Sequence, residues 1–272
     1  MELSKGHVAV ITGAASGIGA GIARACAEQG LRVVLADIEI GPAEALAAEL
    51  EAGGVEALAV RTDVTRAEDL DALAEASFER FGATHLLFNN AGVAQGGTLH
   101  EFTPQDWDWL LAVNLYGVIH GCRSFVPRLL DQGEPAHIVN TASVGGWMSG
   151  PEIGMYCTTK FAVIAYTEAL AAELGERGVG VSALCPGLVD TNLRTASRNR
   201  PAGAGRAPDR LEILSGMEEG MAPLEVGRRA LRGVRENDLY IFTHPEFRPV
   251  IAARMERALA ALDRAAVPVK AP

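Results

Sequence analysis

The sequence predicts one α/β domain spanning all 272 residues, a doubly wound parallel sheet of seven strands with helices on both faces. Three observations predict it. Short aliphatic runs alternate with helical periodicity along almost the whole chain. The runs are continuously apolar, as in strands buried on both faces, and parallel neighbours of that kind need helical crossovers. Hydrophobic residues make up 49% of the chain but aromatics only 6%, with 30 glycines, which suits an aliphatic core with many tight turns and close backbone approaches.

In chain order, the strands are predicted at HVAVIT (7–12), LRVVLAD (31–37), VEALAVRTD (55–63), THLLFNN (84–90), AHIVNTAS (136–143), VGVSALCPG (179–187) and LYIFTH (239–244). Helical periodicity fills 17–29, 42–52, 66–81, 104–130, 155–176 and 223–236, with start signals such as Gly41-Pro42 and Thr103-Pro104. Residues 190–222 interrupt the rhythm with an Arg-, Gly-, Ala- and Pro-rich stretch, read as a mobile substrate lid carrying a short helix near 209–219. The stretch 245–264 reads as a final helix, followed by a Val/Pro/Lys tail.

Thr12-Gly13-Ala14-Ala15-Ser16-Gly17-Ile18-Gly19 joins the first strand to the first helix. Gly13 permits a tight turn, Gly17 lets the backbone approach a pyrophosphate, and Gly19 lets helix pack closely on strand. The N–H groups at the helix start, around Ser16, Gly17 and Ile18, are predicted to bind the anion. Asp37 ends the second strand, where an acid accepts hydrogen bonds from an adenosine ribose and repels a 2′-phosphate. No Lys or Arg occupies 14–18 or follows Asp37 directly, so NAD is expected over NADP.

Ser143 closes the fifth strand, Tyr156-Cys157-Thr158-Thr159-Lys160 opens a long helix, and Asn114 lies in the helix before. Tyr156 and Lys160 are four residues apart and share a helix face, so an ammonium is expected near a phenol and to lower its pKa from about 10 toward neutrality. Ser143 is then placed to hydrogen-bond a substrate oxygen while Tyr156 removes its proton. With TGAASGIG (12–19), NNAG (89–92), Asn114, Ser143, YCTTK (156–160) and Pro186-Gly187 with Thr191, the sequence resembles the short-chain dehydrogenase/reductase family over nearly its whole length.

The resemblance implies a nicotinamide-dependent oxidoreductase in which Tyr156 is acid/base and Lys160 also holds the nicotinamide ribose. It implies that the backbone carbonyl of Asn114 anchors a water of a proton relay. Asp63 and Val64 are implied beside the adenine, Asn90, Ala91 and Gly92 along the cofactor, and Pro186, Gly187, Val189 and Thr191 at the carboxamide. It also implies a homotetramer (or dimer) built on helices 104–130 and 155–176 and the C-terminal segment. Over FVPRLL (125–130), TNLRTASRNRPA (191–202) and LYIFTHPE (239–246) the chain is similar to members that oxidise benzylic alcohols of lignin-derived aryl ethers.

The small-molecule substrate is expected to be a bulky hydrophobic secondary alcohol or ketone, facing Val93, Ala94, Gln95, Ser143, Gly145, Trp147, Met148, Met155, Leu188 and Leu193, with Met217 and Met221 above. A net charge of −10 argues against nucleic acid and anionic lipid as partners. Six histidines and four cysteines without ligand spacing argue against a metal site or a disulfide framework. No apolar run reaches the roughly 20 residues of a membrane span, and the chain enters its first strand without a secretion signal, so a soluble cytoplasmic protein is expected. Two alternatives stand beside the NAD-dependent dehydrogenase: an NADP-dependent carbonyl reductase, and a scaffold that senses NAD without chemistry.

Overall fold

A computed structural model describes residues 1–201 and 219–265. Its seven strands are β1 (Val8–Thr12), β2 (Arg32–Asp37), β3 (Ala57–Arg61), β4 (Leu86–Asn89), β5 (Ala136–Thr141), β6 (Val179–Cys185) and β7 (Tyr240–Phe242), each inside a predicted run. Every pairing is parallel, in the order β3-β2-β1-β4-β5-β6-β7. The helices are α1 (Gly17–Glu28), α2 (Ile40–Ala52), α3 (Ala67–Phe81), α4 (Pro104–Leu111), α5 (Gly117–Asp131), α6 (Gly154–Leu174), α7 (Pro223–Glu236) and α8 (Arg248–Ala265).

Successive strand residues point to opposite faces, and here both faces are dry. Ala9 and Ile11 of β1 pack with Val33 and Leu35 of β2 against Ile22 and Cys26 of α1, Leu46 of α2 and Leu231 of α7. On the opposite face, Val8 and Val10 join Leu87 and Ile138 under Leu70 and Leu73 of α3, Phe125 of α5, and Val163 and Leu170 of α6. The continuous apolar runs of the sequence are the consequence.

Two regions differ from expectation. The segment read as one helix over 104–130 is three: α4, a π-helical turn at Ala112–Tyr116, and α5. An inserted residue of that kind breaks the i to i−4 ladder without a proline, so apolar periodicity runs straight through it. In the predicted lid, Asn192–Asn199 form 3-10 turns, and the chain returns beside its own start through a parallel bridge from Val189 to Met221. The expected helix near 209–219, and Met217, fall largely or wholly outside the described residues.

Candidate active site

The strand order reverses between β1 and β4, and a crevice opens there at the carboxyl ends of the strands. Thr12, the last residue of β1, locks the two strands together: its Oγ1 accepts from the N–H groups of Asn90 (2.9 Å) and Ala91 (3.1 Å), and its carbonyl accepts from Asn90 Nδ2 (3.0 Å). Gly13 follows in the left-handed region with φ of 66°, and a Cβ on it would lie 2.8 Å from the Ala91 Cα. A Cβ on Gly19 would lie 2.1 Å from the Gly13 carbonyl, so only glycine lets α1 start this close to the strand. Ser16 precedes α1 without capping it by its side chain, and Ser16, Gly17 and Ile18 line the cleft.

At one end of the cleft Asp37 is 9% exposed, and its two oxygens accept from the N–H groups of Ala15 and Glu39, each at 2.9 Å. Burial raises its pKa, against those two hydrogen bonds and the charge of Arg198. Asp63 is steadied by Thr65, whose N–H and hydroxyl both donate to Oδ1 (3.0 and 2.7 Å), and the carbonyl of Val64 sits 3.1 Å from His120 Nδ1. Asp37, Asp63 and Val64 line the cleft together with Gly13, Ser16, Gly17 and Ile18. A free helix start beside a buried acid at the end of β2 is a donor and acceptor set that fits the phosphates and ribose of a dinucleotide.

At the other end Tyr156 and Lys160 project from α6 into the same cleft as Ser143, Asn90, Ala91, Gly92, Pro186, Gly187, Val189 and Thr191. Lys160 is buried, donates to the Thr141 carbonyl (2.8 Å), and holds its Nζ 5.7 Å from the centre of the Tyr156 ring. Asn114 lies in the π-helical turn, fully buried. Its side chain accepts from the Val93 N–H (2.8 Å) and donates to the Val93 carbonyl (2.9 Å) and Thr159 Oγ1 (3.0 Å), which fixes the turn against α6.

The acidity of the phenol differs from the sequence expectation. Among the chain's own groups, burial pushes Tyr156 up to about 12, opposed by a hydrogen bond with Ser143, while burial pushes Lys160 down to about 8. Desolvation disfavours both charged forms, and a cation nearly 6 Å from the ring centre does not offset it.

A family model described as short chain dehydrogenase matches residues 7–202. The chain belongs to this family. A C alpha-dehydrogenase from a Sphingobium strain is 37% identical over 249 residues, covering 89% of this chain and 82% of that protein. A CLA biosynthesis dehydrogenase/reductase from Lactiplantibacillus plantarum is 31% identical over 94% of both chains. Among solved structures, a short-chain dehydrogenase/reductase from Burkholderia phymatum in complex with NAD superposes with a TM-score of 0.90 at 38% identity, covering 100% of this chain and 99% of that one. As a short-chain dehydrogenase the chain is an oxidoreductase, with the Rossmann-like sheet of that family.

The residues expected around a substrate divide. Val93, Ser143 and Leu193 line the cleft, and Gly145 backs it, donating its N–H to Ser143 Oγ (3.0 Å). Trp147 does not: its indole packs edge-on to Tyr240 at 4.8 Å and donates to Cys185 Sγ (3.4 Å), which turns it into the core. Met155 is fully buried with Phe102, Trp109 and Leu110. Gln95 is buried in a polar cluster, donating to Asp106 (3.1 Å) and accepting from Arg200 (3.1 Å). Ala94 is buried, with the partly buried Ile153, Tyr156 and Leu193 packed against it, while Met148 and the exposed Leu188 lie outside the cleft lining.

The sequence reading missed several cleft groups. Trp109 of α4 and Val113 of the π-helical turn form its apolar wall with Ala196 and Pro201. Arg198 reaches across the cleft to Glu39, and Arg200 to the fully buried Asp106. His244, read as an ordinary histidine, brackets the loop after β6: Nδ1 accepts from the Gly187 N–H (3.0 Å), so Nε2 carries the proton and donates to the Leu188 carbonyl (2.9 Å). The spacing from His244 to Pro186-Gly187 carries no local signal that would have revealed it.

Proposed function

We propose that the chain is an NAD-dependent dehydrogenase that interconverts a hydrophobic, aryl-bearing secondary alcohol and its ketone. The observation that carries the reading is the convergence in one cleft of the Tyr156 phenol, the Lys160 ammonium and Ser143 with the phosphate turn and Asp37. Asp37 takes the ribose hydroxyls, the start of α1 takes the pyrophosphate, and Pro186, Gly187, Val189 and Thr191 orient the carboxamide. NAD supplies the hydride acceptor and, oxidised, a positive charge in the cleft. Ser143 holds the substrate oxygen, and the phenol oxygen of Tyr156 takes the hydroxyl proton during oxidation and returns it during reduction. Lys160 stabilises the phenolate, and the backbone carbonyl of Asn114 anchors the water of a proton relay.

The wall of Val93, Trp109, Val113, Leu193 and Ala196 supports an aryl or other bulky apolar substrate, as does the similarity to a C alpha-dehydrogenase. Screening aryl secondary alcohols and ketones for formation or loss of NADH absorbance tests the reading. NADH formation with an aryl alcohol supports it, and no turnover across a broad panel in the presence of bound NAD refutes it in favour of a sensing scaffold.

For assembly we propose a homotetramer (or dimer) built on the α4 to α5 segment, α6 and α8. Exposed Met255, Leu259 and Leu262 on α8 support a buried role for that helix, and light scattering of the purified chain tests it by mass. Among the described residues no helix is long and apolar enough to cross a membrane, and no cluster of three or more His, Cys, Asp or Glu has the arrangement to hold a metal.

A further inference from the structure

Lys160 and Arg198 are the two cations among the described residues lining the cleft, and they occupy opposite ends of it. Arg198 comes from the segment after β6, 159 residues from its partner. Its Nη2 and Nε donate to the two carboxylate oxygens of Glu39 at 2.7 and 3.3 Å, and Asn199 Nδ2 adds a third bond to the same carboxylate at 3.2 Å. Glu39 is two residues past Asp37, and its backbone N–H is one of the two donors that hold the Asp37 carboxylate. The guanidinium thus lies beside the acid that faces the adenosine ribose, where a cation able to take a 2′-phosphate belongs.

A guanidinium recognises a phosphate with the same two-pronged donor face that it gives to a carboxylate, so one partner excludes the other. We propose that Glu39 is a second determinant of cofactor choice, acting by occupying Arg198: the pair withholds from a 2′-phosphate the one cation at that end of the described cleft. The inference rests on the NAD-dependent reading. It extends that reading, because the carboxylate of Asp37 alone explains repulsion but not why an adjacent arginine fails to relieve it. It also ties the segment 192–199 to the chain just after β2.

The test measures dissociation constants of NADH and NADPH by nucleotide fluorescence, which needs no knowledge of the alcohol, for the full chain and for Glu39→Gln, Arg198→Met and the double variant. The wild type is expected to favour NADH. Glu39→Gln keeps the side-chain shape while releasing the guanidinium, and is expected to move the NADPH-to-NADH affinity ratio about tenfold toward NADPH. Arg198→Met is expected to give no such gain, and the double variant to lose the gain of the single one, since the phosphate partner is gone. An unchanged ratio in Glu39→Gln, or a gain that survives in the double variant, overturns the proposal while the NAD reading stands. A wild type that prefers NADPH overturns both.

Discussion

Replacing Asp106 with alanine tests how the segment after β6 is fastened over the apolar end of the cleft. Asp106 is fully buried, and one carboxylate oxygen accepts from the N–H and hydroxyl of Thr103, both at 2.7 Å, completing a capping box at the start of α4. The other accepts from Gln95 and from Arg200. Burial alone would raise its pKa, but the hydrogen bonds from Thr103, Arg200 and Gln95 together hold it below the ordinary value. The Arg200 side chain is 12% exposed, stands 5.3 Å over the Trp109 ring, and already has a buried Nε without a partner among the described residues. Removing one member of a buried ion pair costs about 3–5 kcal/mol and loss of a cap about 1 kcal/mol. Because Arg200 sits on a surface segment that can carry the stranded charge to water, the lower figure is expected, about 3 kcal/mol. That corresponds to a midpoint lower by roughly 6–10 °C for a chain of this size. Urea and thermal denaturation of Asp106→Ala measure it, beside Asp106→Ala/Arg200→Met, which removes both charges and is expected to regain at least about 1 kcal/mol. A single variant within about 1 kcal/mol of wild type, or a double variant less stable than the single, refutes the reasoning.

Further outcomes follow from the same geometry. Lys160→Met is expected to abolish turnover yet stabilise the chain by about 1–3 kcal/mol at neutral pH, because it removes a buried ammonium whose pKa falls from 10.5 to about 8. Between those values the unfolded wild type holds more protons than the folded one, so wild-type stability rises with pH there and the advantage of the variant shrinks; denaturation at several pH values measures this. His244→Leu leaves the Gly187 N–H without its partner and the Leu188 carbonyl with only the Met221 N–H, and is expected to weaken NADH binding about tenfold in fluorescence titration. With Tyr156 at about 12 before any cofactor charge acts on it, alcohol oxidation is expected to rise with pH and ketone reduction to fall, as paired pH–rate profiles measure.

The sheet, the glycine turn after β1 and the meeting of Ser143, Tyr156 and Lys160 in one cleft were legible in the sequence because each leaves a local mark. Buried parallel strands are apolar throughout, glycine is forced at Gly13 and Gly19 by backbone contacts, and Tyr156 and Lys160 share a face by helical spacing. The π-helical turn around Asn114 was not legible, since an inserted residue barely disturbs apolar periodicity. The ties of Glu39 to Arg198, Asp106 to Arg200 and Gly187 to His244 were hidden for another reason: they join positions far apart in the chain, and no pattern of spacing announces them. Trp147 and Met155 were misplaced because proximity in sequence to Ser143 and Tyr156 does not say which way a side chain turns. The direction of the Tyr156 shift was missed because burial, which sets it, is a property of the whole fold.

The central claim is that the Tyr156 oxygen moves the proton in a cleft that binds NAD. The most direct measurement compares Tyr156→Phe with wild type for turnover and for NADH affinity on the same preparation. Turnover reduced by at least about a thousandfold with NADH affinity within about threefold is the expected result. Turnover that survives the loss of the phenol oxygen contradicts the account.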